Sequence, residues 1–290
     1  MRDYVIITDS TTDLTQEMID ELDIHVIPME FTINDNNYLN YADGRDISFS
    51  DFYNMLRDKK SSTTALINTQ RFIDIFEPYI KDNKDIIYIC FSSSLSGTYN
   101  SSCIAVQTLL EKYPDRKIYS VDSLSASMGE GLLVYHAAHK KMEGFSIYEV
   151  RDWVLDNRLN ICHWFTVDDL FHLKRGGRVS STAAVVGSML SIKPVMHTDI
   201  NGKLTVVDKA RGRKASLNAL LKMMQETCIN PEEQTIFISH GDCLEDAEFL
   251  AKNVKEKLNV KDIKMNYIGP VIGTHAGPGT VALFFLGTER

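Results

Sequence analysis

The sequence lacks several patterns that would assign it to a common class of protein. Its five cysteines are scattered, odd in number and never spaced as C-x-x-C. It therefore predicts neither a disulfide framework nor a zinc site, and each cysteine is expected to be a small buried hydrophobe. No apolar run approaches the roughly 18 residues of a membrane-spanning helix. The chain enters a strand pattern at once, without the apolar segment of a signal peptide, so we predict a cytoplasmic protein.

Basic charge is also scarce. The chain has 39 acidic and 31 basic residues, which gives a net charge of −8. Binding to nucleic acid or to an anionic membrane surface depends on a basic patch that releases counterions. The sequence therefore predicts no nucleic-acid partner.

Motifs for nucleotides and metals are missing as well. Neither G-x-x-x-x-G-K-[ST] nor G-x-G-x-x-G occurs, so no nucleotide-binding loop is predicted. The eight histidines include no H-x-x-x-H pair, and we predict no metal site and no cofactor. His136 and His139 lie three residues apart on a predicted helix and are expected to be partly exposed surface residues rather than metal ligands.

The sequence does contain an alternation of strand and helix patterns along its 290 residues. That length suits two domains of about 150 residues each, and the alternation predicts a parallel sheet with flanking helices. Asn201-Gly202 lies between two apolar runs and predicts an antiparallel hairpin in the second half. We predict an α/β fold in two domains, 1–163 with a mainly parallel sheet and 164–290 with a mixed sheet.

A run of hydroxyl residues lies where such a fold binds ligands. Asp85–Cys90 is predicted to be a strand, 92–96 is the hydroxyl-rich turn, and a helix is expected from about Tyr99. Ligands collect at the carboxyl ends of strands in open α/β sheets, because the next helix presents free N–H groups and the positive end of its dipole. The stretch predicts an anion site, although the same residue types also cap helices that bind nothing.

Polar residues fall at other predicted loops too. The loop 61–66 is rich in hydroxyls, and the segment 268–279 is so dense in Gly and Pro that its backbone can approach a ligand closely. The polar candidates in these and neighbouring loops are Asp9, Ser10, Thr63, Thr64, Asp122, Ser123, Arg175, Arg178 and His275. The two arginines flank a Gly-Gly turn, where they can instead cap helix carbonyls or pair with surface carboxylates.

These residue types also permit a serine hydrolase. Ser93, His275 and either Asp9 or Asp122 are the residue types of a catalytic triad. No G-x-S-x-G elbow surrounds these serines, and such combinations arise by chance in a chain of this length. A hydrolase that acts on acyl substrates through Ser93 and His275 is the alternative hypothesis.

Five motifs resemble, in order, those of the DegV family. They are Thr8-Asp9-Ser10, Ser92–Tyr99, Leu173–Ser180, Lys193-Pro194-Val195 and Ile268–Gly279. The resemblance runs from about Tyr4 to the C-terminus. It implies a two-domain α/β protein that binds one palmitate- or oleate-like fatty acid. The carboxyl group would lie at the domain interface and the acyl chain in an apolar tunnel.

The resemblance also implies roles for individual residues. It places hydroxyls that contact the carboxylate at Thr64 and Ser93, and it places Arg175 and His275 near the head group. The family usually reads Thr-Ser-Gln where this chain has Thr64-Ala65-Leu66. One hydroxyl and one amide are therefore missing, and Thr63 is the expected substitute.

Some members of this family are the fatty-acid-binding subunit of bacterial fatty acid kinase. They present the carboxylate to a separate ATP-using subunit, which makes an acyl phosphate. The resemblance thus implies a carrier in lipid transport or fatty acid metabolism, with no catalytic residues of its own and a kinase subunit as a candidate partner. Burial of about fifteen methylenes at roughly 0.8 kcal/mol each would supply on the order of 12 kcal/mol, before the cost of ordering the chain.

Overall fold

The computed structural model describes residues 3–179 and 192–290. The last residue of the Leu173–Ser180 motif, Ser180, lies outside them. In chain order, the elements up to residue 157 are β1 (Tyr4–Asp9), α1 (Gln16–Glu21), β2 (His25–Ile27), β3 (Glu30–Ile33), β4 (Asn36–Leu39), α2 (Phe49–Arg57), β5 (Ser62–Thr64), α3 (Thr69–Lys81), β6 (Asp85–Cys90), α4 (Thr98–Lys112), β7 (Ile118–Asp122), α5 (Met128–Met142) and α6 (Ile147–Asn157).

These elements build a four-stranded sheet with the order β2-β1-β6-β7, in which every pair is parallel. Every residue of β1 and β6 is buried, as expected for strands that are covered on both faces. Helices α3 and α4 pack on one face, and α5 and α6 pack on the other. The prediction of a mainly parallel sheet with flanking helices is confirmed.

The second half of the chain forms a mixed sheet. Its elements are β8 (Ile161–Thr166), α7 (Leu170–Arg175), β9 (Ile192–Thr198), β10 (Leu204–Arg211), α8 (Arg213–Thr227), β11 (Thr235–His240), α9 (Leu244–Leu258), β12 (Asp262–Tyr267), α10 (Pro270–Ala276) and β13 (Val281–Leu286). The strand order is β10-β9-β8-β13-β11-β12, and only β11 and β12 pair in parallel. The hairpin predicted around Asn201-Gly202 is confirmed by the antiparallel pairing of β9 and β10.

Helix α5 lies between the two large sheets. One face of the six-stranded sheet packs on α8 and α9. Its other face packs on α5, which also contacts β1 and β6 of the parallel sheet. One apolar cluster therefore includes residues of both sheets. The predicted boundary between residues 163 and 164 falls inside β8, and the division into two domains stays a prediction.

Two segments that were predicted as loops are regular elements. Residues 62–64 form β5, which pairs with β3 in a small antiparallel sheet of the order β4-β3-β5. Residues 270–276 form α10, which begins with Pro270. Proline suits the first position of a helix, because the N–H it lacks would have no partner there. Among the described helices, none is both long and apolar enough to cross a bilayer.

Candidate functional site

A cavity of about 210 Å³ is lined by elements from both halves of the chain. That volume far exceeds the roughly 10–15 Å³ that a single water needs. Most of the wall is apolar. Its apolar residues are Met29, Ala65, Leu66, Phe91, Leu95, Ala126, Phe165, Leu173, Leu204, Ile268, Val271, Ile272, Ala276 and Ala282. The polar side chains in the wall are Thr64, Ser96, Ser127, His163, Arg178, His275 and Thr280.

Two of the predicted site residues meet at one end of this cavity. Nε2 of His275, on α10, lies 2.9 Å from Oγ1 of Thr64, on β5. Burial, together with the nearby charge of Arg178, lowers the pKa of His275 to about 4. The imidazole is therefore neutral near pH 7, with one N–H donor and one acceptor nitrogen. Its Nδ1 is buried and has no hydrogen-bond partner among the described residues.

Arg178 brings a positive charge to the same end. Its Nε donates to the carbonyl of Leu95 at 3.2 Å, and its Nη1 donates to the carbonyl of Gly176. The side chain is half-buried, and burial alone lowers its pKa. It forms no ion pair with a carboxylate of residues 3–179 or 192–290, and residues 180–191 include no Asp or Glu. A guanidinium keeps its proton in proteins, so this end of the cavity holds a charge without a counterion.

Helix α4 begins at the wall of the cavity. Its N-cap, Gly97, lines the cavity and has no side chain to satisfy the first N–H groups of the helix. Ser96, which also lines the cavity, accepts a hydrogen bond from the N–H of Thr98 at 3.2 Å. The positive end of a helix of 15 residues and a hydroxyl thus lie beside the cavity, and both stabilise an anion.

The other three predicted site residues lie outside the lining. Thr63 is exposed, because neighbouring side chains on β5 point to opposite faces and Thr64 takes the inner one. Ser93 is exposed, and its backbone N–H donates to Oδ1 of Asp122 at 3.2 Å. Arg175 is exposed at the end of α7, with its Nη2 3.0 Å from Nδ1 of His172.

The structure therefore groups Thr64 and His275 with residues that sequence reasoning did not select. Ser96 belongs to the hydroxyl run, and its position two residues before α4 was a usable signal. Arg178 was named and not selected. His163 was missed, because its only signal is a polar residue within an apolar strand.

The described residues do not assemble the triad of the hydrolase hypothesis. His275 contacts Thr64, whereas Ser93 lies outside the cavity. Asp9 is buried elsewhere, where it accepts hydrogen bonds from Tyr88 at 2.7 Å and from the N–H of Thr11 at 3.0 Å. Asp122 lies beside Ser93, where it accepts a hydrogen bond from the backbone N–H, but His275 contacts Thr64 and not Ser93.

Buried carboxyl groups lie behind the cavity wall. The hydroxyl of Ser127 donates to Oδ2 of Asp13 at 2.5 Å, and the N–H of Gly269 donates to Oδ1 at 2.8 Å. Burial raises the pKa of Asp13 to about 7 and also raises the pKa values of Asp9 and Glu130. Within the described part of the chain, no group of His, Cys, Asp and Glu is arranged to hold a metal ion.

Comparison with known proteins gives consistent matches along the whole chain. Residues 3–288 match the model of a family described as uncharacterised protein, DegV family. A DegV domain-containing protein of Clostridium perfringens is 50% identical over 290 residues, which cover 100% of this chain and 99% of that protein.

Solved structures share the fold. A DegV family protein from Thermus thermophilus, whose structure is described as showing fatty acid binding, superposes with a TM-score of 0.89 at 26% identity, over 99% of this chain and 100% of that one. The fatty acid kinase B3 protein of Streptococcus pneumoniae, loaded with linoleic acid, has a TM-score of 0.84 at 22% identity, over 98% of this chain and 99% of that one. The second likeness concerns the fold alone.

Proposed function

Because the chain belongs to the DegV family, we propose that it binds one long-chain fatty acid, with the acyl chain in the apolar cavity and the carboxylate at Arg178. The observation that carries the proposal is the half-buried guanidinium without a carboxylate partner. A charge in such surroundings is costly unless an opposite charge compensates it. A fatty acid supplies that charge together with a chain that suits an apolar wall.

The neighbouring groups suit a carboxylate. Within residues 3–179 and 192–290, Arg178 donates only from Nε and Nη1, to backbone carbonyls, and in this proposal its other N–H groups bind the ligand. When neutral His275 donates from Nε2 to Thr64, the hydroxyl proton of Thr64 is free to donate to a carboxylate oxygen. Ser96 and the start of α4 complete the set. In this proposal Thr64 and His275 keep their predicted roles, and Ser96 takes the place of Ser93.

The relatives support the same ligand. The structure from Thermus thermophilus is described as binding fatty acid, and its chain and this one overlap almost completely. The apolar wall then supplies most of the affinity, at roughly 0.8 kcal/mol for each buried methylene. The polar end orients the chain and holds its charge.

The first prediction distinguishes the contribution of the ligand's carboxylate charge to binding from that of its acyl chain. We expect delipidated protein to bind palmitate, and Arg178→Met to weaken that binding by about tenfold or more, since hydrogen bonds to charged groups contribute about 1.5–3 kcal/mol. The affinity for 1-hexadecanol, which has the chain but no charge, should not change. Isothermal titration calorimetry measures the affinity for both ligands.

Lys174→Met, which removes an exposed cation on α7, is the matched control and should bind palmitate like the wild type. Equal palmitate affinity in the wild type and in Arg178→Met would contradict the proposal.

For partner and location, we propose a cytoplasmic carrier that presents the carboxylate to a separate ATP-dependent kinase subunit. The exposed Arg175 is then available to the partner, and the five free thiols suit a reducing compartment. In a reconstituted mixture, we expect Arg175→Ala to bind palmitate normally and to lower the yield of acyl phosphate. An unchanged yield would remove Arg175 from this role. Cell fractionation tests the location.

A further inference from the structure

One polar ring lies in the apolar wall of the cavity. His163 is in the middle of β8 and lines the cavity together with Phe165. Its ring packs on Phe165 and Phe284 with centroid distances of 5.3 and 4.6 Å, and the residue is only 5% exposed. A polar atom in such surroundings costs free energy unless it has a hydrogen-bond partner.

Among the described residues, the hydrogen-bond partners of His163 all contact one nitrogen of the ring. Nδ1 lies 2.9 Å from Oγ1 of Thr198 and 3.4 Å from Oγ of Ser125. Within residues 3–179 and 192–290, both hydrogen bonds of the ring use this nitrogen. Burial lowers the pKa of His163 to about 3, so the ring is neutral and Nε2 is either a donor or an acceptor. Nε2 has no hydrogen-bond partner among the described residues, and His163 lines the cavity.

The strand register shows how far His163 lies from the polar end. His163 pairs with Phe284, and Thr280 precedes Phe284 by four residues on the same segment of chain. The hydroxyl of Thr280 donates to the carbonyl of Ala276 at 3.0 Å, next to His275. At about 3.4 Å per residue, Phe284, and with it His163, lies roughly 13 Å along the chain from Thr280. A fatty acid whose carboxylate is at Arg178 passes His163 well along its acyl chain.

We propose that the cavity prefers a long-chain fatty acid with a hydroxyl group near the middle of its chain, and that Nε2 of His163 binds this hydroxyl. The inference rests on the proposed fatty acid site. A hydroxyl both donates and accepts, so it pairs with Nε2 in either neutral tautomer of the ring. An unsubstituted chain would exclude water and leave a buried nitrogen without a partner, which lowers affinity.

The experiment compares 10-hydroxyoctadecanoate and 12-hydroxyoctadecanoate with octadecanoate, all on delipidated wild-type protein. We expect at least one hydroxy acid to bind about tenfold more tightly than octadecanoate, which is the difference expected for one satisfied polar group. In His163→Phe, this preference should vanish, so that the ratio of the affinities for the hydroxy acid and for octadecanoate falls to about one. His197→Phe is the matched control: it removes another histidine of the same sheet, which stacks on Trp164 and is not in the cavity wall, and it should keep the preference.

The outcomes separate the two proposals. Equal or weaker binding of both hydroxy acids by the wild type overturns the His163 proposal, and this comparison needs no variant to fold. A preference that survives in His163→Phe overturns it as well. If neither octadecanoate nor the hydroxy acids bind, the fatty acid site itself is wrong.

Discussion

At the scale of single residues, the buried carboxyls require protons. The hydroxyl of Thr8 contacts the carbonyl of Ile89 at 2.8 Å and Oε1 of Glu130 at 3.0 Å. The hydroxyl of Thr11 contacts Oδ1 of Asp9 and, at 2.8 Å, Oε2 of Glu130. Each hydroxyl has one proton, and a carbonyl can only accept. All four contacts are hydrogen bonds only when Glu130 and Asp9 each hold a proton. Burial also favours the protonated forms, because it raises the pKa of both groups.

Asp13 extends this cluster, and its titration predicts how stability depends on pH. Its pKa is raised to about 7 in the folded protein, against roughly 4 for an unfolded chain. Between these values the folded state binds more protons, so its stability falls as pH rises. The slope contributed by one group is at most about 1.4 kcal/mol per pH unit. We expect the free energy of unfolding of Asp13→Asn to depend less on pH between about 4 and 7.

Urea denaturation at a series of pH values measures this effect. Asp20→Asn removes an exposed carboxyl from α1 and is the matched control, with a pH dependence like that of the wild type. A pH dependence of Asp13→Asn as steep as that of the wild type would show that Asp13 does not hold the proton.

At the scale of elements, helix α10 shows how a short segment places a side chain. It has only seven residues, and it packs against α2 through Gly273. A Cβ atom at Gly273 would lie 2.7 Å from Oη of Tyr53 and 2.9 Å from Cε1 of Phe52. The Tyr53 hydroxyl donates to the carbonyl of Ile268 at 2.7 Å, which holds its ring in place. This close packing brings His275, two residues further on, to the cavity.

We therefore expect Gly273→Ala to destabilise the protein by about 1–3 kcal/mol, as overpacking of a core does. Palmitate should also bind more weakly, because a shift of α10 moves His275. Urea denaturation and calorimetry measure the two effects. Glu248→Ala, at an exposed position of α9, is the control. A more stable Gly273→Ala variant would mean that the helical preference of alanine outweighs the contact and that α2 and α10 pack loosely.

At the scale of the whole molecule, the two large sheets share one core. The same cluster includes Ile87 and Ile89 of the parallel sheet and Phe165 and Phe284 of the mixed sheet, joined through α5. Loss of one sheet would expose the apolar face of α5 that packs on it, at about 25 cal/mol for each Å² exposed. The two halves are therefore expected to unfold together.

The two tryptophans test this expectation. Trp153 lies on α6 beside the parallel sheet, and Trp164 lies on β8 in the mixed sheet. The variants Trp153→Phe and Trp164→Phe each keep one tryptophan. For each variant, we expect the urea transition measured by tryptophan fluorescence to coincide with the transition measured by circular dichroism. A fluorescence transition separate from the circular dichroism in either variant would show that the halves unfold independently.

The sequence by itself determined most of the elements and the class of fold. A strand such as β6 follows from an unbroken apolar run, and a helix such as α3 follows from the spacing of its apolar residues. Both are local properties of the chain. The order of the motifs also identified the family, because a motif is read along the chain. The sequence predicts loops at residues 62–64 and 270–276, where the structure has β5 and α10. Strand β5 exists only through its pairing with β3, and α10 is short and contains Gly and Pro.

Only the tertiary structure decided which polar residues share the cavity. The hydroxyl run offered Ser93 and Ser96, which only the position of Ser96 near the helix start separates. The Gly-Gly turn offered Arg175 and Arg178, and nothing in the sequence separates those two. The direction in which a side chain points depends on how the sheets pack around α5. His163 became a candidate only when β8 was placed against the cavity. The physical reason is that burial is a property of distant parts of the chain in contact, whereas periodicity and motif are properties of neighbours in sequence.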